Sequence, residues 1–342
     1  MTDYKKLKLI TTCAPHIRGT ETSRSIMFDV IIALLPALAY ACYWFGLDAL
    51  NLTGVSVAAC IFWEWLYRLL ARKPQAVGDL SAVVTGVLLS FVCPANITYW
   101  QIIAGTFFAI VVAKQFFGGI GRNLINPALA GRVFMVHFGT LATERGWLDF
   151  PWSKVTVLSQ TELADAAAPL SYMSGENIAA TFRVLTEKYS LLDMFLGKIG
   201  GSMGEICTLA LLAGGFYLVG RKIISWHIPA SYILTVAALT FLFPRGGADN
   251  LQWMMYSLCG GGLMLGAFFM ATDYSTSPIM KGGQLVYGIG CGLLTVVIRY
   301  FGPCEEVVYY AIMTMNCLTP LIDRCDRPVR FGTVKSGRST AK

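Results

Sequence analysis

Residues 26–47 read IMFDVIIALLPALAYACYWFGL. One charged side chain before its last residue, Asp29, interrupts a run that matches the roughly 20 apolar residues a helix needs to cross a bilayer core. The preceding residues 1–25 are polar and hold Lys5, Lys6, Lys8, Arg18 and Arg24. They show no apolar stretch followed by a small-residue cleavage site, so the run reads as a span and not as a removable leader. Working outward, nine more segments follow the same pattern: 50–71, 79–94, 99–117, 124–141, 204–220, 224–243, 251–272, 284–300 and 305–322. The third and fifth are short and carry Gly, Pro, Asn or Thr, which suits interior or broken helices better than lipid-facing ones.

The whole chain agrees with its first span. Of 342 residues, 55% are hydrophobic and 14% charged, against about 25% charged in soluble domains. Mean hydropathy is +0.58. Disorder, a fibrous repeat and a secreted disulfide scaffold are excluded. The expected fold class is an all-α polytopic membrane protein with ten transmembrane helices, placed in the cell (inner) membrane with the lipid bilayer as its solvent. The ten cysteines form no CxxC pair and mostly sit in apolar runs, where a free thiol behaves as a small hydrophobe.

The net charge of +7 follows membrane topology and gives no nucleic-acid signal. Arg68, Arg72, Lys73, Lys114, Arg122, Arg221, Lys222 and Lys281 fall on the same side as the N-terminal cations and the tail, where Arg324, Arg327, Arg330, Lys335, Arg338 and Lys342 cluster. The opposite connections 48–49 and 95–98 hold no Lys or Arg, and Arg245 is the main exception. The positive-inside rule puts both termini in the cytoplasm. This divides the chain into a cytoplasmic arm (1–25), a first five-helix half (26–141), an extracytoplasmic region (142–203), a second five-helix half (204–322) and a basic cytoplasmic tail (323–342). Residues 177–192 have near-helical apolar spacing and suit an interfacial helix. An odd number of spans per half makes the halves inverted relative to one another, a plan that puts a site between broken helices near the midplane.

A few polar residues interrupt the spans. Glu64, in Ile61-Phe62-Trp63-Glu64-Trp65-Leu66-Tyr67-Arg68, is an acid at membrane depth, which points to an ion or proton path. Arg68, four residues on, offers the alternative of simple neutralisation. The glycine-rich run from Lys114 to Asn126-Pro127 lacks the Gly-Lys-Ser/Thr of a P-loop, and Pro127 suits a first helical turn. Arg132 then requires an acid, a phosphate or carbonyls for company. Asp273, in Ala271-Thr272-Asp273-Tyr274-Ser275-Thr276-Ser277-Pro278, either caps a helix or lines an ion path. Asp323 ends the last segment at a solvated edge. His16, His137 and His227 are isolated, so no metal site is expected, and no Ser/His/Asp set points to a hydrolase.

Several motifs resemble a known family. They are Ala14-Pro15-His16-Ile17-Arg18, Asp29 to Pro36, Asp79-Leu80-Ser81-Ala82-Val83-Val84-Thr85-Gly86 and Gly118 to Arg132 in the first half. Gly201-Ser202-Met203-Gly204-Glu205, Ile224-Ser225-Trp226-His227-Ile228-Pro229, Met270-Ala271-Thr272-Asp273 and Pro320-Leu321-Ile322-Asp323-Arg324 follow in the second. The family comprises D-type subunits of the Rnf ion-translocating ferredoxin:NAD oxidoreductases and B-type subunits of the sodium-translocating NADH:quinone oxidoreductases. The short N-terminal arm is closer to the Rnf side.

The resemblance implies a subunit, not catalytic alone, of a multi-subunit membrane complex that couples ferredoxin:NAD electron transfer to Na+ or H+ movement. It implies flavin: an FMN esterified through its phosphate to a threonine in the central loop, with riboflavin as a second, non-covalent flavin. The matching residues here are Asp165-Ala166-Ala167-Ala168-Pro169-Leu170. Ala168 stands at the threonine position and has no hydroxyl, so no phosphoester can form there. Arg132 is then the candidate partner for the phosphate of a non-covalently held FMN. Glu64 and Asp323 match acids that the family places on or near the ion path. A stand-alone solute channel of urea-channel-like architecture is the alternative, and a scaffold subunit that has lost its flavin is a third reading.

Overall fold

The computed structural model describes residues 22–94, 97–144, 190–197, 202–204, 207–244, 249–301 and 307–326. Side chains at 138–144 and 194 are outside that description, as are residues 177–189 and both chain ends, on which the interfacial-helix and termini expectations fall. All regular elements among the described residues are helical.

The first helix, α1 (Ser23–Phe45), is started by Thr22, whose hydroxyl accepts from the Ser25 amide while Ser25 bonds back. This reciprocal cap satisfies donors that a helix start leaves open. Gly46, at φ 72°, turns the chain directly into α2 (Leu47–Leu70), a left-handed backbone that glycine adopts without steric cost. Asp79 accepts from the amide and hydroxyl of Ser81 and opens α3 (Ser81–Phe91). Eleven residues span about 17 Å, well short of a bilayer core, and nearly all of α3 is buried. The Phe91 and Cys93 carbonyls at its far end accept from the Gly204 and Met203 amides, so the chain returning from the central region docks on this half-length helix.

Helix α4 (Tyr99–Phe107) runs on as a π-helical stretch, Phe108–Gln115. Helix α5 (Pro127–Glu144) starts on Asn126, whose side-chain oxygen accepts from the Ala128 amide. After a short α6 (Leu191–Leu196), the second half holds α7 (Thr208–Gly220) and α8 (His227–Leu242). Helix α9 (Asn250–Cys259) breaks and bends by 62° into α10 (Leu263–Leu265), which continues as a π-helical stretch, Gly266–Met270. Helices α11 (Lys281–Phe301) and α12 (Val307–Cys325) complete the chain.

Every segment read from hydropathy coincides with one of these helices or with the bent pair. Among the described residues α1, α2 and α11 are each long and apolar enough to cross a membrane, and α9 with α10 passes as one broken span. The chain is a multi-pass membrane protein. Read as an interior or a broken helix, the fifth segment is a continuous helix of 18 residues whose first turns, Ala128, Leu129, Ala130 and Gly131, are buried.

The main apolar cluster among the described residues joins the halves, with Leu34, Leu89, Phe91 and Leu129 packed together with Tyr232, Trp253, Phe268 and Tyr287. Helix α1 packs on α7, α2 on α3 and α4, α8 on α9 and α11, and α11 on α12. Small residues carry these crossings, as is usual where lipid removes the hydrophobic drive between helices. At Gly86 an added methyl would lie 2.7 Å from the Val57 Cα, and the Gly86 carbonyl accepts from Ser56 at 2.7 Å. Gly86→Ala is therefore expected to cost about 1–3 kcal/mol, seen as a lower Tm of the detergent-solubilised protein. An unshifted Tm would show that α2 and α3 are free to separate.

Candidate functional site

Six buried residues, Ala49, Leu52, Thr53, Ser56, Cys60 and Glu64, form the inner face of α2. Their three- and four-residue spacing is the helical period, and that period carries Glu64 into the bundle, where it is 0% exposed. The partners of Glu64 come from the end of the fourth segment. Lys114 Nζ donates to Oε2 at 2.9 Å and Gln115 Nε2 to Oε1 at 2.8 Å. The wider i→i+5 winding of the π-helical stretch presents both consecutive residues to the same carboxylate. Arg68 Nε is 3.5 Å from Oε1, an ion pair without a hydrogen bond, and its Nη1 donates to the Pro74 carbonyl at 2.8 Å.

Lys114 is thus no loop cation. It is 1% exposed, and its place among the orientation charges is withdrawn; Arg68, Arg72, Lys73, Arg122, Arg221, Lys222, Lys281 and Arg324 lie in loops or at helix ends. Its ammonium also donates to Ser81 Oγ at 2.6 Å. Ser81 in turn donates to Asp79, giving a charged relay Glu64–Lys114–Ser81–Asp79 that links α2, α4 and the start of α3.

A cavity of about 270 Å³ adjoins this relay, enclosed by α1, α3, the Gly121–Pro127 region, α7 and the end of α10. Ser81, Thr85 and Lys114 line one side. Asn123 and Asn126 line another, with Phe268, Phe269 and Asp273 contributed by the second half. Asn126 Nδ2 donates to the Met270 carbonyl at 3.3 Å, tying the two halves together at the cavity wall. Asn123 is 8% exposed and its Oδ1 meets no hydrogen-bond donor. A buried amide oxygen left unpaired costs about 1–3 kcal/mol, so an occupant with an N–H or O–H to offer is favoured here.

Asp273 lies just past the eighth segment. It accepts from Ser275 Oγ at 2.9 Å and Thr276 Oγ1 at 3.4 Å within the turn that precedes α11, where it caps no helix, and it lines the cavity. Burial pushes its carboxyl above the usual carboxylate range, against the pull of those hydrogen bonds and of the Lys114 charge.

The other candidates lie elsewhere. Asp323 accepts from the Ile279 amide at 3.3 Å, and Asp326 accepts from Gly283 at 2.8 Å. These two acids tie the last helix to the start of α11, and Asp323 shares neither the Glu64 cluster nor the cavity. Arg132 is half-buried on α5 and is absent from the cavity wall. Ala168, Pro169 and Leu170 lie outside the described residues. His137 bonds the Val133 carbonyl at 2.9 Å and His227 stacks on Trp226. No group of His, Cys, Asp and Glu that could hold a metal occurs among the described residues.

Lys114, Gln115 and Asn123 are the residues that sequence reasoning passed over. The signal existed, because Lys114 interrupts the apolar run 99–117, and the rule applied to Glu64 applies equally to a lysine at membrane depth.

Residues 10–332 match the model of the NQR2, RnfD, RnfE family. The D-type subunit of the Na(+)-translocating ferredoxin:NAD(+) oxidoreductase complex of Acetobacterium woodii is 44% identical over 96% of this chain and 97% of its own length. Its counterpart in the proton-translocating ferredoxin:NAD(+) oxidoreductase complex of Clostridium ljungdahlii is 37% identical over 96% of this chain and 98% of its own. The corresponding subunit of the ion-translocating oxidoreductase complex of Stutzerimonas stutzeri is 38% identical over 92% and 93%. With the family model covering nearly the whole chain and such relatives aligned from end to end, the chain belongs to the NQR2, RnfD, RnfE family.

Proposed function

We propose that this chain is a membrane subunit of an ion-translocating ferredoxin:NAD oxidoreductase complex, working with the other membrane and peripheral subunits of that assembly. Near-complete alignment with relatives that bear this name is the observation that carries the reading. The solute-channel alternative has no such support.

Ten spans in two inverted halves are part of the same proposal. In the first half, the second helix packs on the third and fourth and the fourth on the fifth; in the second half, α8 packs on α9 and α11, and α11 on α12. Each half also has its middle helix shortened or broken. A repeated packing plan of this kind supports an inverted repeat. The positive-inside reading of the termini and the outward central region go with it.

The flavin reading divides in two. At the family's covalent position, Ala168 has no oxygen to esterify, so the residues do not fit a bonded FMN and no step is assigned to one there. The cavity fits a non-covalently held isoalloxazine, whether riboflavin or FMN. Asn123 Oδ1 can accept from a ring N–H, Phe268 and Phe269 offer apolar walls, and Lys114 supplies a cation. A flavin there would supply one- and two-electron chemistry. The chain's own residues would bind and orient the ring, and Lys114 and Gln115 hold the Glu64 carboxyl in place on the proposed ion path.

Analysis of flavin in the purified complex tests this reading. Extraction is expected to release flavin from this subunit, and the denatured chain is expected to show no fluorescent band under ultraviolet light. A fluorescent band at this chain would overturn the non-covalent reading.

A further inference from the structure

Among the described residues, Lys114 is the one lysine or arginine on the cavity wall, and it is also a direct partner of Glu64 at 2.9 Å. On the cavity side it is held by Ser81 Oγ at 2.6 Å, and Asp273 lines the same cavity. The groups facing this lysine are therefore Glu64, Arg68 and Cys60 on α2, Gln115 beside it, Asp79 through Ser81, and Asp273. One ammonium serves two places that carry or acquire negative charge.

We propose that Lys114 is a positioning residue that links the charge in the cavity to cation occupancy at Glu64. The inference rests on the proposal that the cavity holds a flavin and that Glu64 lies on the ion path. A cation arriving at Glu64, sodium or proton, competes with Lys114 for the carboxylate. The freed ammonium stays within reach of Ser81 and the cavity, where it favours added negative charge. Linkage is reciprocal: negative charge in the cavity draws Lys114 from Glu64 and raises the affinity of Glu64 for the cation by the same factor. The device needs no large movement, because a lysine stem carries its charge through a few rotamers. Burial of both Glu64 and Lys114 keeps their interaction strong.

The reduction equilibrium of the extractable flavin, measured by spectroelectrochemical titration of the intact complex, tests this without turnover. In the native complex that equilibrium should favour the reduced form more as sodium rises, or as pH falls where the ion is a proton, by about five-fold or more across the saturation range. Glu64→Gln leaves the ammonium free for the cavity, and reduction should become easier and lose its ion dependence. The paired variant Glu64→Gln with Lys114→Met removes that ammonium, and reduction should be about five-fold or more less favoured than in Glu64→Gln alone. Equal equilibria in these two variants would overturn the role of Lys114, since a merely structural lysine would not separate them. Ser81→Ala keeps every charge and removes the cavity-side acceptor of Lys114 together with the hydroxyl bond to Asp79; a weaker ion dependence is expected, and an unchanged one counts against the proposal. Absence of extractable flavin from the native complex would instead overturn the reading beneath it, and the two failures are distinguishable.

Discussion

Lys114→Met alone should prevent the protein from accumulating in an assembled complex, while the same change made together with Glu64→Gln should restore much of it. Glu64 is wholly buried, and Lys114 and Gln115 supply its close hydrogen bonds. Removing the lysine leaves a carboxylate in a low-dielectric interior with one amide and a distant Arg68. Breaking a buried pair in this way costs about 3–5 kcal/mol, a large fraction of the roughly 5–15 kcal/mol that folded domains usually hold. Deleting both charges leaves no carboxylate without its lysine; Arg68 loses its ion pair but keeps its bond to the Pro74 carbonyl, so the pair should be far less costly than Lys114→Met alone. The measurement is complex yield and thermal stability after detergent extraction, compared for the two single variants and the pair. Equal stability of Lys114→Met and the native protein would mean that Glu64 is not charged or not dry.

The second large effect is expected at Gly214. A methyl added there would press into the Ala33 carbonyl oxygen, a backbone atom of α1 that cannot rotate away. Helix α7 meets α1 at this point, so the clash falls between the first half and the second. Asp29 anchors the same contact, accepting from Tyr217 Oη at 2.9 Å and Arg221 Nη2 at 3.1 Å. Gly214→Ala is expected to cost at least the upper part of the roughly 1–3 kcal/mol range for overpacking. Gly54, also helical, has open space where its methyl would go. Gly54→Ala should therefore change stability by no more than about 1 kcal/mol, and in the favourable direction. Equal Tm values for the two variants would show that α1 and α7 are not tightly apposed.

Much of the fold was legible because membrane spans announce themselves by composition. Each apolar segment became a helix or, at 251–272, a bent pair, and Asn126-Pro127 opened a helix as its chemistry requires. What the sequence could not show was where continuity fails. The 62° bend between α9 and α10 falls at Gly260–Gly262, yet Gly86, Gly105 and Gly131 sit inside unbroken helices because a neighbouring side chain or backbone fills the space beside them. Glycine alone does not distinguish a hinge from a close crossing.

The site was half legible. Glu64 was visible as an acid in an apolar run, but its partner choice depended on which face of the fourth segment turned inward. Arg68 satisfies the simple i,i+4 rule and proves to be the longer contact. Lys114 lies inside the apolar run 99–117 yet reads in sequence as an orientation charge; that it faces Glu64 together with Gln115 follows from the π-helical winding, of which hydropathy carries no sign. The cavity itself joins residues more than a hundred positions apart, Lys114 and Asn123 with Phe268 and Asp273, which no local pattern reveals. Asp323 shows the reverse case: an acid grouped with Glu64 by resemblance caps a separate loop.

The most direct measurement is ion uptake per electron transferred by the Glu64→Gln complex reconstituted in sealed vesicles, beside the native complex. With Glu64 on the ion path, uptake per electron should fall by about ten-fold or more, while the complex stays assembled because Ser81 Oγ and the substituted amide oxygen still accept from Lys114. Undiminished uptake per electron would remove Glu64 from that path, and with it the link between the buried carboxylate, Lys114 and the cavity.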